Sequence, residues 1–590
     1  MKNYKRYASH PTFKIVLSCL SILGLSLSYS NRIFAQEGQP LQVQNFDYWA
    51  ELCSASLKTQ TNQQQTQTDE EIIKAYEEAI KACDQAIALN PNEPVAWRDK
   101  GNAHFAIAQY AEALAAYSQA IRLEPKNSAV LAKRCASQSK LGNYQDAISD
   151  CETALRVDDQ WDTVTRGFAL YQRGVAQWQL AQGEKPLLEE ALVSFNLAIQ
   201  SNSDYSLALA TQCGLLTDLG RYDEALVSCE RALQVNKDWG DRTAAVGWAN
   251  RGRLLAKRDE YDLALDSYNQ AIAINPNDEV AWTERGAVLY TIGKPGEALT
   301  EHQWALKISP NYSLALANQC ATLNQLSKYD EALPACEKAI QEGDGRWGDQ
   351  GVAYAWNHRG SALTGLSRFE ESLASTNRAI ALRPNYADAW INRGVALWYL
   401  GRFPDALAAT QQATELNPNS SKAWFNFGRI LTTLGRYEEA IAAYEKALEG
   451  DANVGDRLTL GEIWVNLSAM QWRLERYDQA IEAANRATGI NPESAEAWYN
   501  QGLALMALKR YPEAVAAYQQ AIKIDATNAD FWAAEGIALR FLGDYQMALM
   551  ALSKALELNP SHLQAQANLA VVMQQLQPPT IPPPPPPMSP

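Results

Sequence analysis

The sequence predicts an all-α fold, a solenoid of repeated helix pairs, on three observations. Trp, Gly and Ala recur at fixed spacing along most of the 590 residues. The residues between them are rich in Ala, Leu, Glu, Gln and Arg, which favour helix. Seven of the recurring blocks close with a proline, which ends a helix. Because such arrays grow by adding blocks, the chain length does not indicate separate globular domains.

Tryptophan marks the start of most blocks. Gly follows four residues later in eight of nine blocks and Ala sixteen residues later in eight, with Ser468 and Ser372 as the exceptions. We number the residues of a block as places 1–34, with Trp at place 4. The nine tryptophans are Trp97, Trp248, Trp282, Trp356, Trp390, Trp424, Trp464, Trp498 and Trp532. Four more blocks have Leu at place 4, which gives thirteen: Leu131, Leu170, Leu209 and Leu316.

The pattern resembles the tetratricopeptide repeat (TPR), a motif of about 34 residues. The resemblance covers about residues 45–577. It implies two antiparallel helices per repeat, with the first helices on the concave side of a curved stack. A fourteenth, degenerate repeat lies in front, with a Gln-rich insertion around 63–69 between its helices. We number it repeat 1 and the others 2 to 14, and we expect a capping helix at about 563–577.

Small residues at places 8, 20 and 27 are expected to let the two helices of a repeat approach, while larger residues at places 4 and 24 fill the space between repeats. Glycine at place 15 is predicted to end the first helix in a left-handed conformation. It occurs there as Gly142, Gly220, Gly401 and Gly435.

Five intervals between repeats are longer than 34 residues. Four of them carry related spacers: Trp161–Asp162, Trp239–Arg242, Arg346–Asp349 and Gly455–Arg457. We interpret the spacers as connectors that lead into lengthened first helices, and a ligand-binding role is the alternative. The fifth insertion, near residues 183–186, is expected between the two helices of repeat 4.

Residues 1–35 resemble a targeting segment. A basic start precedes the apolar run 15–27, and Ile33-Phe34-Ala35 resembles a small-residue cleavage site. The run is shorter than the roughly 20 residues of a spanning helix. We therefore predict a signal peptide, and an uncleaved N-terminal anchor is the alternative. The solenoid, residues 36–577, is then exported to the periplasm or another extracytoplasmic compartment, with membrane contact only through such an anchor.

The net charge and the C-terminal residues limit the kinds of partner that we expect. The net charge is −15, and residues 1–35 carry five basic and no acidic side chains, so the chain without them would carry −20. Such an acidic surface repels phosphate backbones, so no nucleic acid partner is expected.

Residues 578–590 are Pro-rich, and the six prolines 582–587 favour polyproline II. We expect a stiff, disordered tail, and a ligand for an aromatic groove is the alternative.

Eight of the nine cysteines occupy places 8 and 24, always both in one repeat. A hairpin that turns near place 16 sets these places opposite each other, within the roughly 4.4–6.8 Å that a disulfide spans between Cα atoms. We therefore predict an oxidising compartment and four disulfides: Cys53–Cys83, Cys135–Cys151, Cys213–Cys229 and Cys320–Cys336. The alternative is that Cys is a small apolar filler. Zinc is not expected, because each pair supplies only two thiols.

No arrangement of residues indicates catalysis. The histidines lie in separate repeats, near the cap or in the targeting segment, so they suggest no Ser-His-Asp or Cys-His set. The sequence has no phosphate loop or dinucleotide fingerprint. Acidic pairs at the start of second helices favour the helix dipole and need no other role. We predict a protein that is not an enzyme and has no cofactor or metal.

Asparagine recurs at place 6, on the concave face that the TPR resemblance implies. A row of Asn can hydrogen-bond the main chain of an extended peptide, and it resembles the asparagine ladder in the TPR arm of O-linked GlcNAc transferases. The row is Asn250, Asn318, Asn392, Asn426, Asn466 and Asn500. Candidate aromatic anchors at places 5 and 12 are Tyr171, Trp178, Tyr290, Trp398, Phe425, Trp472 and Tyr499. Packing between neighbouring first helices is the alternative role of these aromatic residues.

Arg98 and Asn102 echo part of the clamp with which some TPR proteins bind a C-terminal carboxylate. The following repeats lack the matching basic residues apart from Lys133, so no clamp is expected.

Together these observations predict a scaffold of a bacterial cell envelope that binds an extended peptide, or assembles a complex, along residues 390–540. The alternatives are an accessory subunit that presents substrate to a separate enzyme, and a structural spacer anchored in the membrane.

Overall fold

The computed structural model describes residues 46–63, 69–157, 159–161, 164–181, 183–240, 242–451 and 457–577. The predicted targeting segment and the Pro-rich tail lie outside these residues, as do Asp162, Asp241, Gly455 and Asp456 of the spacers. The chain divides into two compact parts, residues 1–240 and 241–590. We call them the N-terminal part and the C-terminal part.

The described residues of the N-terminal part form the helix pairs of repeats 1 to 5. Within this part, the first helix of each repeat packs against the second helix, and the second helices of repeats 1 to 4 pack in turn against the first helix of the next repeat. The helices are α1 (Phe46–Gln63), α2 (Asp69–Leu89), α3 (Pro94–Ala106), α4 (Tyr110–Leu123), α5 (Ser128–Lys140), α6 (Tyr144–Val157), α7 (Arg166–Ala181), α8 (Lys185–Ser201), α9 (Ser206–Asp218) and α10 (Tyr222–Val235).

The C-terminal part contains repeats 6 to 14 and the capping helix. Its helices are α11 (Ala245–Lys257), α12 (Tyr261–Ile274), α13 (Glu279–Thr291), α14 (Pro295–Ile308), α15 (Ser313–Gln325), α16 (Tyr329–Glu342), α17 (Gly351–Gly365), α18 (Phe369–Leu382), α19 (Ala387–Tyr399), α20 (Phe403–Leu416), α21 (Ser421–Thr433), α22 (Tyr437–Glu449), α23 (Arg457–Arg473), α24 (Tyr477–Ile490), α25 (Ala495–Ala507), α26 (Tyr511–Ile524), α27 (Ala529–Leu542), α28 (Tyr545–Leu558) and α29 (Leu563–Leu576). A 3₁₀ turn, Gly348–Gln350, precedes α17.

Both parts are helical and without strands over the residues described. The predicted capping helix is α29, which packs on α27 and α28. Across the same residues, no helix combines the length and the apolar character needed to cross a membrane.

The insertions lie where the repeat numbering placed them. The Gln-rich insertion separates α1 from α2, and the insertion in repeat 4 separates α7 from α8. The expectation of lengthened first helices after the spacers is correct for α7, α17 and α23, with 16, 15 and 17 residues, but wrong for α11, with 13. The spacer before α11 therefore connects two repeats without extending the helix that follows.

Glycine at place 8 leaves room for a bulky side chain at place 24. A Cβ atom on Gly428 would lie 2.8 Å from the ring of Tyr444, and one on Gly502 would lie 2.4 Å from the ring of Tyr518. Both tyrosines are buried. A larger residue at place 8 would therefore displace the ring that fills the core of its repeat.

Place 15 adopts the left-handed conformation, as predicted. The φ angles of Gly142, Gly220, Gly401 and Gly435 are +82°, +73°, +72° and +72°. Six further repeats hold a residue other than glycine in the same conformation, at Ala108, Asp259, Ser327, Ser367, Glu475 and Lys509. The turn therefore does not require glycine, although a side chain there carries a conformational cost.

The four predicted cysteine pairs are disulfide-bonded in the structure. Their Cα atoms lie 4.9 to 5.5 Å apart, and all eight residues are fully buried. Each disulfide joins places 8 and 24, which hold glycine and an aromatic residue in many other repeats. Cystine therefore replaces that packed pair with a covalent bond between the two helices.

The spacers and the residues just before them bond to the start of the first helix of the repeat they follow. Ser313 Oγ accepts a hydrogen bond of 2.8 Å from the backbone N–H of Gly345, and Leu314 N–H donates to the carbonyl of Arg346. Ser206 Oγ accepts from Lys237 N–H in the same way, at 3.0 Å. The spacer thus accepts hydrogen bonds from N–H groups that the start of a helix leaves without an intrahelical partner. These contacts support the connector interpretation.

Candidate binding face of the first helices

Four asparagines of the predicted row lie on first helices of successive repeats, and their amides bond in two ways. Asn392 Nδ2 donates to Oδ1 of Asn357 at 2.8 Å. Asn500 Nδ2 donates to the carbonyl of Val465 at 3.3 Å. In both cases the acceptor belongs to place 5 of the preceding repeat. These two amides therefore bridge neighbouring first helices.

The other two amides turn back to their own helices. Asn426 Nδ2 donates to the carbonyl of Lys422 and Asn466 Nδ2 to that of Glu462, both at 2.9 Å. Asn426 is only 8% exposed, while Asn466 is half-buried. An amide has two N–H groups and one acceptor oxygen, so each of the four retains bonding capacity beyond the contact described. The row is present, but its members are not equivalent.

The remaining members of the row have different surroundings. Asn250 lines a cleft of about 380 Å³ together with Arg253, Tyr268 and Glu284 on helices α11 to α13. We call it the spacer cleft, because Gly348 of the third spacer lines it, as does Gln350 directly after that spacer. Asn318 is 8% exposed within α15. Asn426 is exposed to the same small extent, so burial does not separate the two, and the place of Asn318 in the row stays a prediction.

In the spacer cleft, Tyr268 is the buried group with an unmet hydrogen bond. Its ring is 1% exposed, and its hydroxyl has no hydrogen-bond partner within the described part of the chain. Burial raises the pKa of this hydroxyl well above its usual value, and the nearby Glu284 carboxylate raises it further. Tyr268 therefore stays protonated and neutral.

Tryptophan at place 12 follows a rule that the sequence did not reveal. Trp178 Nε1 donates to Asp218 at 3.0 Å, and Trp398 Nε1 donates to Thr433 Oγ1 at 2.9 Å. Both acceptors occupy place 13 of the next repeat. The Nε1 of Trp472 is buried and has no partner among the described residues, because place 13 of its neighbour is Ala507.

The predicted aromatic anchors separate into core residues and half-buried residues. Phe425 is 6% exposed and lies 6.2 Å, centroid to centroid, from Tyr444. Its prediction as a surface anchor is therefore wrong, since it fills the core beside place 24. Tyr499 is half-buried and lies 5.0 Å from the ring of Phe531. The other half-buried members are Tyr171, Trp178, Tyr290, Trp398 and Trp472.

A second cleft, of about 320 Å³, lies on the last repeats of the C-terminal part. Two predicted anchors, Trp472 and Tyr499, line it. The other apolar and aromatic residues of its walls are Tyr477, Leu503, Met506 and Tyr518. We call it the C-terminal cleft. Asp530, His562 and Gln564 also line it, and His562 Nε2 lies 2.9 Å from Asp530 Oδ1. Burial, with a further contribution from Asp530, raises the pKa of Tyr499 above its usual value.

The residues of the partial clamp at repeat 2 form hydrogen bonds with other residues of this chain. Asn102 Oδ1 accepts hydrogen bonds from Tyr117 Oη at 3.0 Å and from Lys133 Nζ at 2.9 Å. Arg98 Nε donates to Asp99 at 2.9 Å. These contacts occupy groups that a carboxylate clamp would need.

Over the described residues, no three or more His, Cys, Asp or Glu side chains are grouped to hold a metal ion.

Comparison with known proteins agrees with this geometry. Family models described as tetratricopeptide repeat match residues 74–134, 245–278, 391–454, 471–529 and 529–562. The chain is a tetratricopeptide repeat protein. No curated protein matches this TPR protein significantly.

Solved structures share its fold. The Cut9–Hcn1 hetero-tetramer of the APC/C is 16% identical over 93% of this TPR protein and 99% of the matched chain, with a TM-score of 0.51. YrrB, a TPR protein with an unusual peptide-binding site, is 25% identical over 32% and 96%, with a TM-score of 0.29. A TPR protein from Parabacteroides merdae ATCC 43184 is 18% identical over 46% and 100%, with a TM-score of 0.37. The first supports the TPR solenoid as the fold, and the other two carry no further inference.

Proposed function

We propose that this TPR protein is a non-catalytic scaffold that binds an extended segment of a partner protein along residues 390–540. The observation that carries the proposal is the row Asn392, Asn426, Asn466 and Asn500, one on each of four successive first helices. Each amide has hydrogen-bonding groups beyond its internal contact. Main-chain groups of an extended peptide match such a row without requiring particular side chains.

The half-buried aromatic residues would add affinity to this main-chain contact. Trp398 lies on the same first helix as Asn392, and Trp472 lies on that of Asn466. Tyr499 immediately precedes Asn500 in the sequence. Partly exposed aromatic side chains in a cleft are typical anchors for the side chains of a partner. We infer that the Asn row sets the path of the peptide and that the C-terminal cleft accepts one apolar side chain.

We further propose that the protein works outside the cytoplasm, in a bacterial cell envelope. The four buried disulfides favour an oxidising compartment. The basic and apolar character of residues 1–35 supports the same location.

The partner can be captured by photo-crosslinking in the native compartment and identified by mass spectrometry. Binding to that partner is then measured with Asn392, Asn426, Asn466 and Asn500 all changed to Ala. Each lost hydrogen bond is worth about 0.5–1.5 kcal/mol, so the Kd should rise at least about tenfold. Unchanged affinity in a folded variant would contradict the proposal.

The matched control replaces four exposed glutamines of second helices with alanine: Gln411, Gln479, Gln520 and Gln546. They lie on helices of the same repeats or of the next one. This variant should keep the affinity of the unmodified protein, and circular dichroism should show the same helix content in all three proteins.

A further inference from the structure

The C-terminal cleft has the lining that proline-rich segments prefer. Trp472, Tyr477 and Tyr499 contribute aromatic rings, and Met506 and Leu503 complete the apolar surface. Grooves with aromatic walls bind polyproline II segments, because the segment is already extended and loses little entropy on docking. The spacer cleft does not share this character, since Arg253, Lys257 and Glu284 line it.

The cleft also contains an unmet hydrogen-bond donor. Asp218 accepts a hydrogen bond from the indole of Trp178, and Thr433 accepts one from that of Trp398. Trp472 has no such acceptor, because place 13 of the next repeat is Ala507. A polyproline II segment has no internal hydrogen bonds, so its carbonyl groups are available to donors. Because this N–H is buried, a carbonyl brought into the cleft would supply its acceptor only if the indole ring turned toward the cleft.

The chain carries a segment of this kind within reach. Helix α29 contributes Gln564 to the cleft and ends at Leu576, two residues before Pro578. Residues 578–587 would span about 31 Å as polyproline II. Helix α29 has 14 residues, which makes it about 21 Å long. The segment is therefore long enough to run back along the capping helix to the cleft.

Charge does not oppose this contact. Residues 578–590 contain no Asp, Glu, Lys or Arg, so Asp530 at the cleft meets no charged side chain of this segment. We propose that residues 578–587 dock in the C-terminal cleft of the same chain. They thereby occupy the place where an apolar side chain of the partner would bind. Only this competition rests on the proposed function, whereas the docking does not.

The test uses the full chain with the photo-crosslinker benzoylphenylalanine in place of Ile581, irradiated at low protein concentration without any partner. The expected products are links within one chain from residue 581 to residues of the C-terminal cleft. Because the contact is apolar, the yield should change little between low and high salt. Links scattered over many helices would overturn the proposal, as would links formed only between two chains, which would show a second copy as the occupant.

Ala507→Arg places a long side chain at the edge of the cleft, and Ala507 is exposed, so the fold should be retained. This change should lower the yield of cleft links at least about tenfold. The matched control, Ala442→Arg, alters an exposed alanine of α22 away from the cleft and should leave the yield unchanged. An equal yield in Ala507→Arg would contradict docking. Because no partner is present, this result is independent of the test of the Asn row.

Discussion

His302 shows how a single residue can make a repeat sensitive to pH. It occupies place 24 of repeat 7, against Gly286, and is fully buried. Neither ring nitrogen has a hydrogen-bond partner among the residues described, and burial lowers its pKa to about 3. The ring is therefore neutral in the folded protein at any pH well above this value.

Replacing His302 with Tyr, the residue that fills place 24 in several other repeats, should weaken the dependence of stability on pH. Unfolded histidine has a pKa of about 6.5. Below that pH the unfolded state binds a proton that the folded state does not, so stability falls as the pH drops from about 6.5 toward 3. The loss is about 1.4 kcal/mol per pH unit between about pH 6 and pH 4. Thermal unfolding of both proteins from pH 7 to pH 4 measures the difference.

Acidic side chains contribute the same pH dependence to both proteins, so only the difference between them reports on His302. If the two unfolding midpoints fall in parallel between pH 6 and pH 4, His302 is not held neutral by the fold. A control at pH 7 is also needed, because His302→Tyr must fold before the comparison has meaning.

At the scale of elements, the spacers show a sequence signal that was missed. The repeats beginning at 128, 206, 313 and 421 are the ones followed by a Trp/Gly/Asp/Arg spacer, and each begins with serine. In three of them the serine hydroxyl accepts a hydrogen bond from a backbone N–H that lies one or two residues before the spacer. Place 1 and the spacer lie about 30 residues apart, so only the folded repeat brings them together.

Ser313→Ala should destabilise repeat 8. Ser313 is fully buried, and its Oγ is the acceptor for the backbone N–H of Gly345. Gly345 is exposed, so its N–H can bond water once the hydroxyl is removed, and the loss is that of one ordinary hydrogen bond, about 0.5–1.5 kcal/mol. Hydrogen exchange at residues 343–347 should speed up accordingly. Ser553→Ala, at an exposed position of α28, serves as the control and should leave exchange unchanged, whereas equal exchange in both variants would contradict the connector role.

The helices could be predicted from the sequence because the spacing of Trp, Gly and Ala repeats many times and each copy supports the others. The cysteine pairing followed for the same reason, since places 8 and 24 are fixed by the hairpin. The direction of each amide could not be predicted. Whether Asn392 reaches Asn357, or Asn426 turns to Lys422, depends on the side chains of the preceding repeat. The burial of Phe425 and Asn318 depends on the same neighbours.

At the scale of the whole molecule, the disulfides are unevenly distributed. Three lie in the N-terminal part and one in the C-terminal part, and the described repeats after repeat 8 contain none. In a repeat array, stability is approximately a sum of local terms. Losing a disulfide therefore affects mainly its own repeat and the neighbours of that repeat.

Reduction of the disulfides should lower the stability of the N-terminal part more than that of the C-terminal part. Each disulfide that closes a loop of about 16 residues contributes about 3 kcal/mol. Limited proteolysis with mass spectrometry should therefore release fragments of residues 46–240 first under reductant, whereas the oxidised protein should resist at these sites. Equal release from both parts would contradict this expectation. A count of eight free thiols in the purified protein would exclude the disulfides altogether.

The equivalence of cystine and the glycine–tyrosine pair has a consequence for how such arrays evolve. Both solutions close the same hairpin at the same two positions, so two substitutions at places 8 and 24 exchange one form of closure for the other. A lineage that moves between oxidising and reducing surroundings can thus switch individual repeats between covalent and packed closure while it keeps its register. Sites such as Gly428 and Tyr444 are the natural starting points for engineering a redox-dependent array.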